Sequence, residues 1–287
     1  GFDDDLDTLG RVGKECCRGC SEENFGRHVY CNYADFGAAS GCARKLVMKG
    51  AFVRSVLGDL PARNLGVCYA HEHIILDSSY TTTRYLEFRF DSVAKAAADL
   101  LEFKKLGGCS MVDSMPCDAG RNAVKLAEVS RLSGVQILCP TGLHLAKYYP
   151  DGHWGGRMSS DELARLFVTA AEAHCITGAP ILTHTEQGTA ADKQVDLLNR
   201  LGLSLGHVVI SHTDRKPDLG YHKDVLSSGV CVEYDSAFRW SGDAGNPTLD
   251  LMIGLKEGGL LGLVMLGMDA ALVLEKLFRG AGLAVFA

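Results

Sequence analysis

The sequence predicts an α/β fold, a parallel sheet whose strands alternate with helices, and three observations carry that expectation. Apolar runs of strand length recur between stretches of helical periodicity. Several runs are apolar almost throughout, as strands covered on both faces are. Residues able to ligate a metal, His71, His73, His184, His212 and Asp269, stand at the ends of four of those runs.

The first 50 or so residues show neither helical nor strand periodicity and are rich in Gly, Cys, Asn and charge, so an irregular segment is expected over 1–50 and a folded domain over 51–287. In that domain the strand-like runs are 66–73, 109–115, 135–142, 180–186, 207–214, 230–236 and 262–270. The first closes on His71-Glu72-His73, and alternation along a strand points both imidazoles one way and Glu72 the other. Two imidazoles so placed can chelate one divalent metal. Between the runs, 92–106 carries Val93, Ala96, Ala97, Leu100 and Leu101 on one stripe, and 121–132 carries Val124, Leu126, Ala127 and Val129. Ser159-Ser160-Asp161-Glu162 opens another helix with a cap and acidic first turn, and Asn246-Pro247 opens a further one. Gly107-Gly108, Gly134, Gly178 and Gly258-Gly259 stand where helix C-caps do.

A parallel sheet of this kind is either open or closed into a barrel. No G-x-G-x-x-G follows the first strand and no G-x-x-x-x-G-K-[ST] occurs, which removes support for nucleotide-binding open sheets. In barrels the chemistry sits at the C-terminal ends of strands, where all five ligand-type residues fall, and 287 residues suit a barrel of about 250.

A net charge of −6 argues against a nucleic-acid binder, and no apolar run approaches the ~18 residues that span a bilayer. The acidic N-terminus lacks a charged-then-apolar export signal, so a cytoplasmic location with reduced thiols is expected. Of the 11 cysteines, Cys68, Cys109, Cys139 and Cys231 fall in runs that read as buried strands. Cys16, Cys17, Cys20, Cys31 and Cys42 gather near His28, yet no second close pair follows Cys17-x-x-Cys20 to complete a zinc site.

Taken together, these segments resemble the phosphotriesterase family of the amidohydrolase superfamily. The resemblance is carried by Val56-Leu57-Gly58-Asp59, His71-Glu72-His73, Gly107-Gly108 through Asp113, Gly120-Arg121-Asn122, Thr141-Gly142, Thr183-His184-Thr185, Ser211-His212-Thr213-Asp214 and Leu266-Gly267-Met268-Asp269-Ala270. It implies a TIM-type (β/α)8 barrel with divalent metal, commonly zinc, one or two ions per chain, at the strand ends. His71, His73 and Asp269 would hold the more buried ion, and His184 and His212 the more exposed one. The implied reaction is attack of a metal-bound hydroxide on a phosphotriester, lactone or carboxylester, with Asp269 as general base. Further candidates for the substrate side are His144, just after Thr141-Gly142, as a leaving-group contact, Asp214 as an orienter of ligands or a proton carrier, and Arg239, with Asp235, on the loop after a strand. The expected partners are a small-molecule ester or lactone and a second copy of the chain.

The sequence departs from this pattern at the fourth strand, whose end should carry a bridging lysine or glutamate. Residues 161–168 read as the helix before that strand and 169–174 as the helix after it, so one long helix from Ser160 to about Thr177 is expected, and about seven strands. The C-terminus is also short for the pattern. Two alternatives follow: an inactive or incomplete homologue, and a mononuclear, deaminase-like hydrolase using His71, His73, His184 and Asp269.

Overall fold

The computed structural model describes residues 28–29, 52–240 and 245–269. The irregular segment expected over 1–50, with its cysteine cluster, lies outside the described residues except for His28–Val29, which pair in parallel with Phe52–Val53. Residues 270–287 also lie outside them.

Two short strands lead into the barrel. β1 (Phe52–Ser55) and β2 (Gly58–Pro61) form an antiparallel hairpin, and Gly58 takes a φ of 118°, open to glycine alone. Val53, Val112 and Leu138 form a small buried cluster that packs the hairpin against the sheet. Val56 N donates to Ile137 O at 2.8 Å, fixing the hairpin to the third barrel strand by the backbone as well.

The barrel wall is in two parallel pieces. The first is β3 (Cys68–Glu72), β4 (Ser110–Asp113) and β5 (Gln136–Leu138), paired in that order. The second is β6 (Ile181–His184), β7 (Val208–Ser211), β8 (Cys231–Tyr234) and β9 (Val264–Leu266). Beyond the last strand, Met268 N and Asp269 N both donate to His71 O, at 3.0 and 3.3 Å, so the end of the second piece is tied to the end of β3. Met268 also inserts its side chain into the core of the first piece. On the opposite side, no ladder joins β5 to β6 among the described residues. The fold is therefore a TIM-type barrel with seven parallel strands described and one seam.

In sequence a single long helix connects the two sides of the seam. The helices are α1 (Tyr80–Arg84), α2 (Val93–Lys105), α3 (Ala123–Ser133), α4 (Ser160–Thr177), α5 (Ala191–Arg200), α6 (Leu219–Ser227) and α7 (Pro247–Glu257). In α4, Ser159 and Glu162 form a reciprocal capping box at the start and Gly178 takes the left-handed C-cap, with no strand interrupting its 18 residues. Its Ala171 packs into the core beneath β6–β9, with Val195, Val208 and Ile210.

Several expected faces differ. Val124 is 79% exposed and Leu101 41% exposed, whereas Phe103, outside the expected stripe, is buried. An aromatic ring three residues beyond Leu100 fills the space over β3, where Tyr69 meets it at 5.9 Å. Cys109 precedes its strand by one residue and is exposed, and Cys68, Cys139 and Cys231 are half-buried. All four, with Cys117, are free thiols. α5 and α6 were not expected from the sequence.

Candidate metal centre

The C-terminal ends of β3, β7, β8 and β9 converge on one carboxylate. Asp269 follows β9 with a φ of 46°, a left-handed backbone that non-glycine residues seldom adopt and that often marks a working site. Its Oδ1 lies 3.1 Å from His73 Nε2 and 3.5 Å from His71 Nε2. These three residues bring one ligand atom each within 4.8 Å of one another. Residues of this chemistry at this spacing suit a zinc-like cation, for which two imidazoles and a carboxylate are ordinary ligands. Around this group buried polar atoms are also left short of partners: the Nδ1 atoms of His71 and His73, on the far side of their rings, and Oε1 of Glu233 have no hydrogen-bond partner.

His212 ends β7 and also adopts a left-handed backbone, with a φ of 63°. The short turn after it, Thr213–Arg215, carries the Arg215 guanidinium back over the strand ends. There Arg215 Nη2 donates to Asp269 Oδ2 at 2.5 Å and approaches Asp235 Oδ1 at 3.3 Å. His212 Nδ1 is hydrogen-bonded to Asp235 Oδ2, and the His212 ring lies 4.8 Å from that of His71.

Electrostatics separate the members of this group. Burial alone would lower the His71 imidazolium, but the Glu233 carboxylate, with Asp269 and Asp235 behind it, lifts it to about 9. The Glu233 contact, Nδ1 to Oε2, is 3.5 Å, an ion pair too long to be a well-formed hydrogen bond. Burial would raise Asp269, but the imidazoles of His73, His71 and His212 hold it far below the usual carboxylate range. Asp269 is thus ionised at every working pH. Asp113, buried under the pair of histidines, is pushed up to about 6 by burial, against the pull of His73.

The remaining expected residues divide. His184 ends β6 with 40% of its side chain exposed, and its Nε2 faces Glu186 at 3.7 Å. Its ring is 4.6 Å from that of His212, but it brings no atom into the donor group with His71. His144 stands beyond β5 with its ring 6.5 Å from that of His184 and 4.2 Å from that of Tyr148, its pKa lowered to about 3 first by burial and then by His73 and His184. Arg239 reaches Asp269 from the open side, Nη2 to backbone O at 2.9 Å and to Oδ2 at 3.3 Å. Asp214 takes the orienting place rather than a substrate-facing one. It is fully buried, and its oxygens accept from Ser236 N at 2.8 Å, Thr248 Oγ1 at 2.8 Å and Asp235 N at 3.3 Å. It bolts the loop after β8 in place and is out of reach of a substrate.

The model of the Phosphotriesterase family matches residues 51–170 and 154–281. The chain belongs to the phosphotriesterase family. A phospho-furanose lactonase from Mycoplasmopsis synoviae is 25% identical over 67% of this chain and 69% of its own. A lactonase from Listeria monocytogenes shares the fold, with a TM-score of 0.67, 24% identity and coverage of 77% of this chain and 83% of that one. A mutant organophosphorus hydrolase from Deinococcus radiodurans superposes with a TM-score of 0.63, at 25% identity over 76% and 79% of the two chains. The two matched segments of the phosphotriesterase model overlap over residues 154–170, the stretch that leads into α4 and its first turns, where the expected strand is missing.

Two residues of this phosphotriesterase-family site were not singled out from the sequence. Glu233 sits inside an apolar run, where alternation alone leaves its face undecided, and Arg215 sits in a turn that looks solvated. Gly267, just ahead of Asp269, explains how Glu233 fits. A Cβ there would meet Glu233 Oε1, and would lie 2.6 Å from His71 Cβ and 2.9 Å from His71 O. Gly267→Ala is expected to cost about 1–3 kcal/mol through overpacking, read as a lower urea midpoint; an unchanged midpoint would contradict this packing.

Proposed function

We propose that this protein is a divalent-metal-dependent hydrolase of ester-type bonds, with lactones, carboxylesters and phosphotriesters as its substrate class. The observation that carries the reading is the convergence of His71 Nε2, His73 Nε2 and Asp269 Oδ1 at the C-terminal mouth of the barrel. Those three would hold a cation, zinc being the best match to the donor set. When bound, it supplies a Lewis acid to the ester oxygen under attack and makes a water a nucleophile near neutral pH.

The chain's own residues do the rest. Glu233 faces the far nitrogen of His71 and sets the orientation of its ring. Asp269 is held ionised, which suits a permanent metal ligand better than a general base. His144, Tyr148 and Arg239 rim the opening and are placed to meet the substrate's leaving side. His144 is neutral at working pH and so contributes packing and a hydrogen bond, not charge. The mononuclear, deaminase-like alternative adds His184 to the same three donors, and two ions per chain would exclude it.

The test is direct. Zinc-loaded protein is expected to hydrolyse an activated aryl ester or a γ-lactone, and chelation with 1,10-phenanthroline is expected to lower the rate at least about 100-fold. A rate indifferent to chelation, or no hydrolysis by a loaded and folded chain, overturns the reading. The second outcome favours the inactive homologue, to which the seam between β5 and β6 lends support.

A further inference from the structure

We propose that this site is built for a single divalent cation, and that the guanidinium of Arg215 is the fixed positive charge on the other side of Asp269. The inference rests on the hydrolase reading above and adds to it the ion count and the role of Arg215.

The two oxygens of Asp269 serve different partners. Oδ1 faces the imidazoles of His73 and His71 at 3.1 and 3.5 Å, whereas Oδ2 takes Arg215 Nη2 at 2.5 Å and Arg239 Nη2 at 3.3 Å. A bridging carboxylate would need the second oxygen for a second ion. Here a planar, permanently charged group already holds it, and holds Asp235 as well. Asp235 in turn engages His212 Nδ1. The chain of contacts from His212 to Asp235 to Arg215 to Asp269 therefore neutralises both acids without a second ion.

The other residues point the same way. His184, the expected partner of His212 on a second ion, turns a nitrogen to Glu186. The fourth-strand position that would supply a bridging donor is taken up by the continuous helix α4. A second donor group does exist, His71, His212, Glu233 and Asp235, all buried. It shares His71 with the first, however, and filling it would set a divalent charge beside Arg215 in a site with little water to screen the two. Each further divalent charge placed there adds to the repulsion with Arg215. One cation with one arginine satisfies the same acids with the least of that repulsion.

The experiment is a cobalt(II) titration of the full chain, following visible d–d absorption, with cobalt bound by thiolates set apart by its near-ultraviolet charge-transfer band. The wild-type chain is expected to saturate at one equivalent of non-thiolate cobalt. Arg215→Met, which uncovers two carboxylates, is expected to take up more than one, and Arg215→Lys, which keeps the charge, to remain at one. Two equivalents in the wild type would overturn the inference and leave the hydrolase reading standing. An Arg215→Met variant that folds and still stops at one would also overturn the role of Arg215. No non-thiolate cobalt in the wild type would overturn the hydrolase reading itself. Should Arg215→Met fail to fold, the wild-type count and Arg215→Lys decide the matter alone.

Discussion

Asp269→Asn is expected to reduce ester hydrolysis by about 10³-fold, roughly 4 kcal/mol of lost transition-state stabilisation. The substitution keeps the side chain's volume and one acceptor oxygen, so the fold around it has little to repack. It removes the charge on which five partners converge: His71, His73, His212, Arg215 and Arg239. Two guanidinium groups are then left facing a neutral amide, and the donor group loses its carboxylate ligand. Zinc retention after dialysis is expected to fall in parallel with the rate. Because Asp269 is ionised at every working pH in the wild type, its loss should not shift the acid limb of the pH–rate profile; the whole profile should drop. A variant within threefold of wild type in both rate and zinc content would remove Asp269 from the centre of the site.

The second large effect is on stability. Ile210→Ala, in the middle of β7, is expected to cost about 2–5 kcal/mol by denaturant titration, since truncating a fully buried aliphatic chain loses its transfer energy and leaves a cavity. Ile210 pairs with Val232 of β8 and Thr183 of β6, and packs in the same cluster as Val208, Val225 and Leu255. A domain's whole stability is of order 5–15 kcal/mol, so this single change consumes a large share of it. A midpoint within experimental error of wild type would mean that this core is not closed around β7.

The parts of the molecule legible in the sequence are those where local chemistry and fold agree. α4 declared itself through Ser159, Glu162 and Gly178, which fix both ends of one helix and leave no room for a strand between them. His71, His73 and Asp269 stood out by ending strands, because backbone alternation and strand termini are local properties. Glu233 did not stand out, because its meaning depends on Gly267 lying against it from another strand. Arg215 was invisible for a similar reason: a left-handed His212 swings the turn inward, and nothing in the turn's composition announces that. For Asp214 the motif suggests either an orienting or a substrate-side role, and tertiary packing gives it the first: it is buried and holds the loop after β8 that carries Asp235. The face of Leu101 differs because Phe103 on the same helix takes the buried stripe, and that of Val124 because Leu126 and Val129 carry the buried face of α3.

The seam gives the site a second meaning. The wall consists of two half-sheets, each with its own core, welded where Met268 and Asp269 meet the carbonyl of His71. His71, His73 and Asp113 belong to one half, and His212, Glu233, Asp235 and Asp269 to the other. Whatever binds between Asp269 and the two histidines therefore clasps two units that could otherwise open separately, and unfolding cooperativity becomes a property of the loaded state. The residues proposed to hold the cation are thus also the ones that join the two half-sheets.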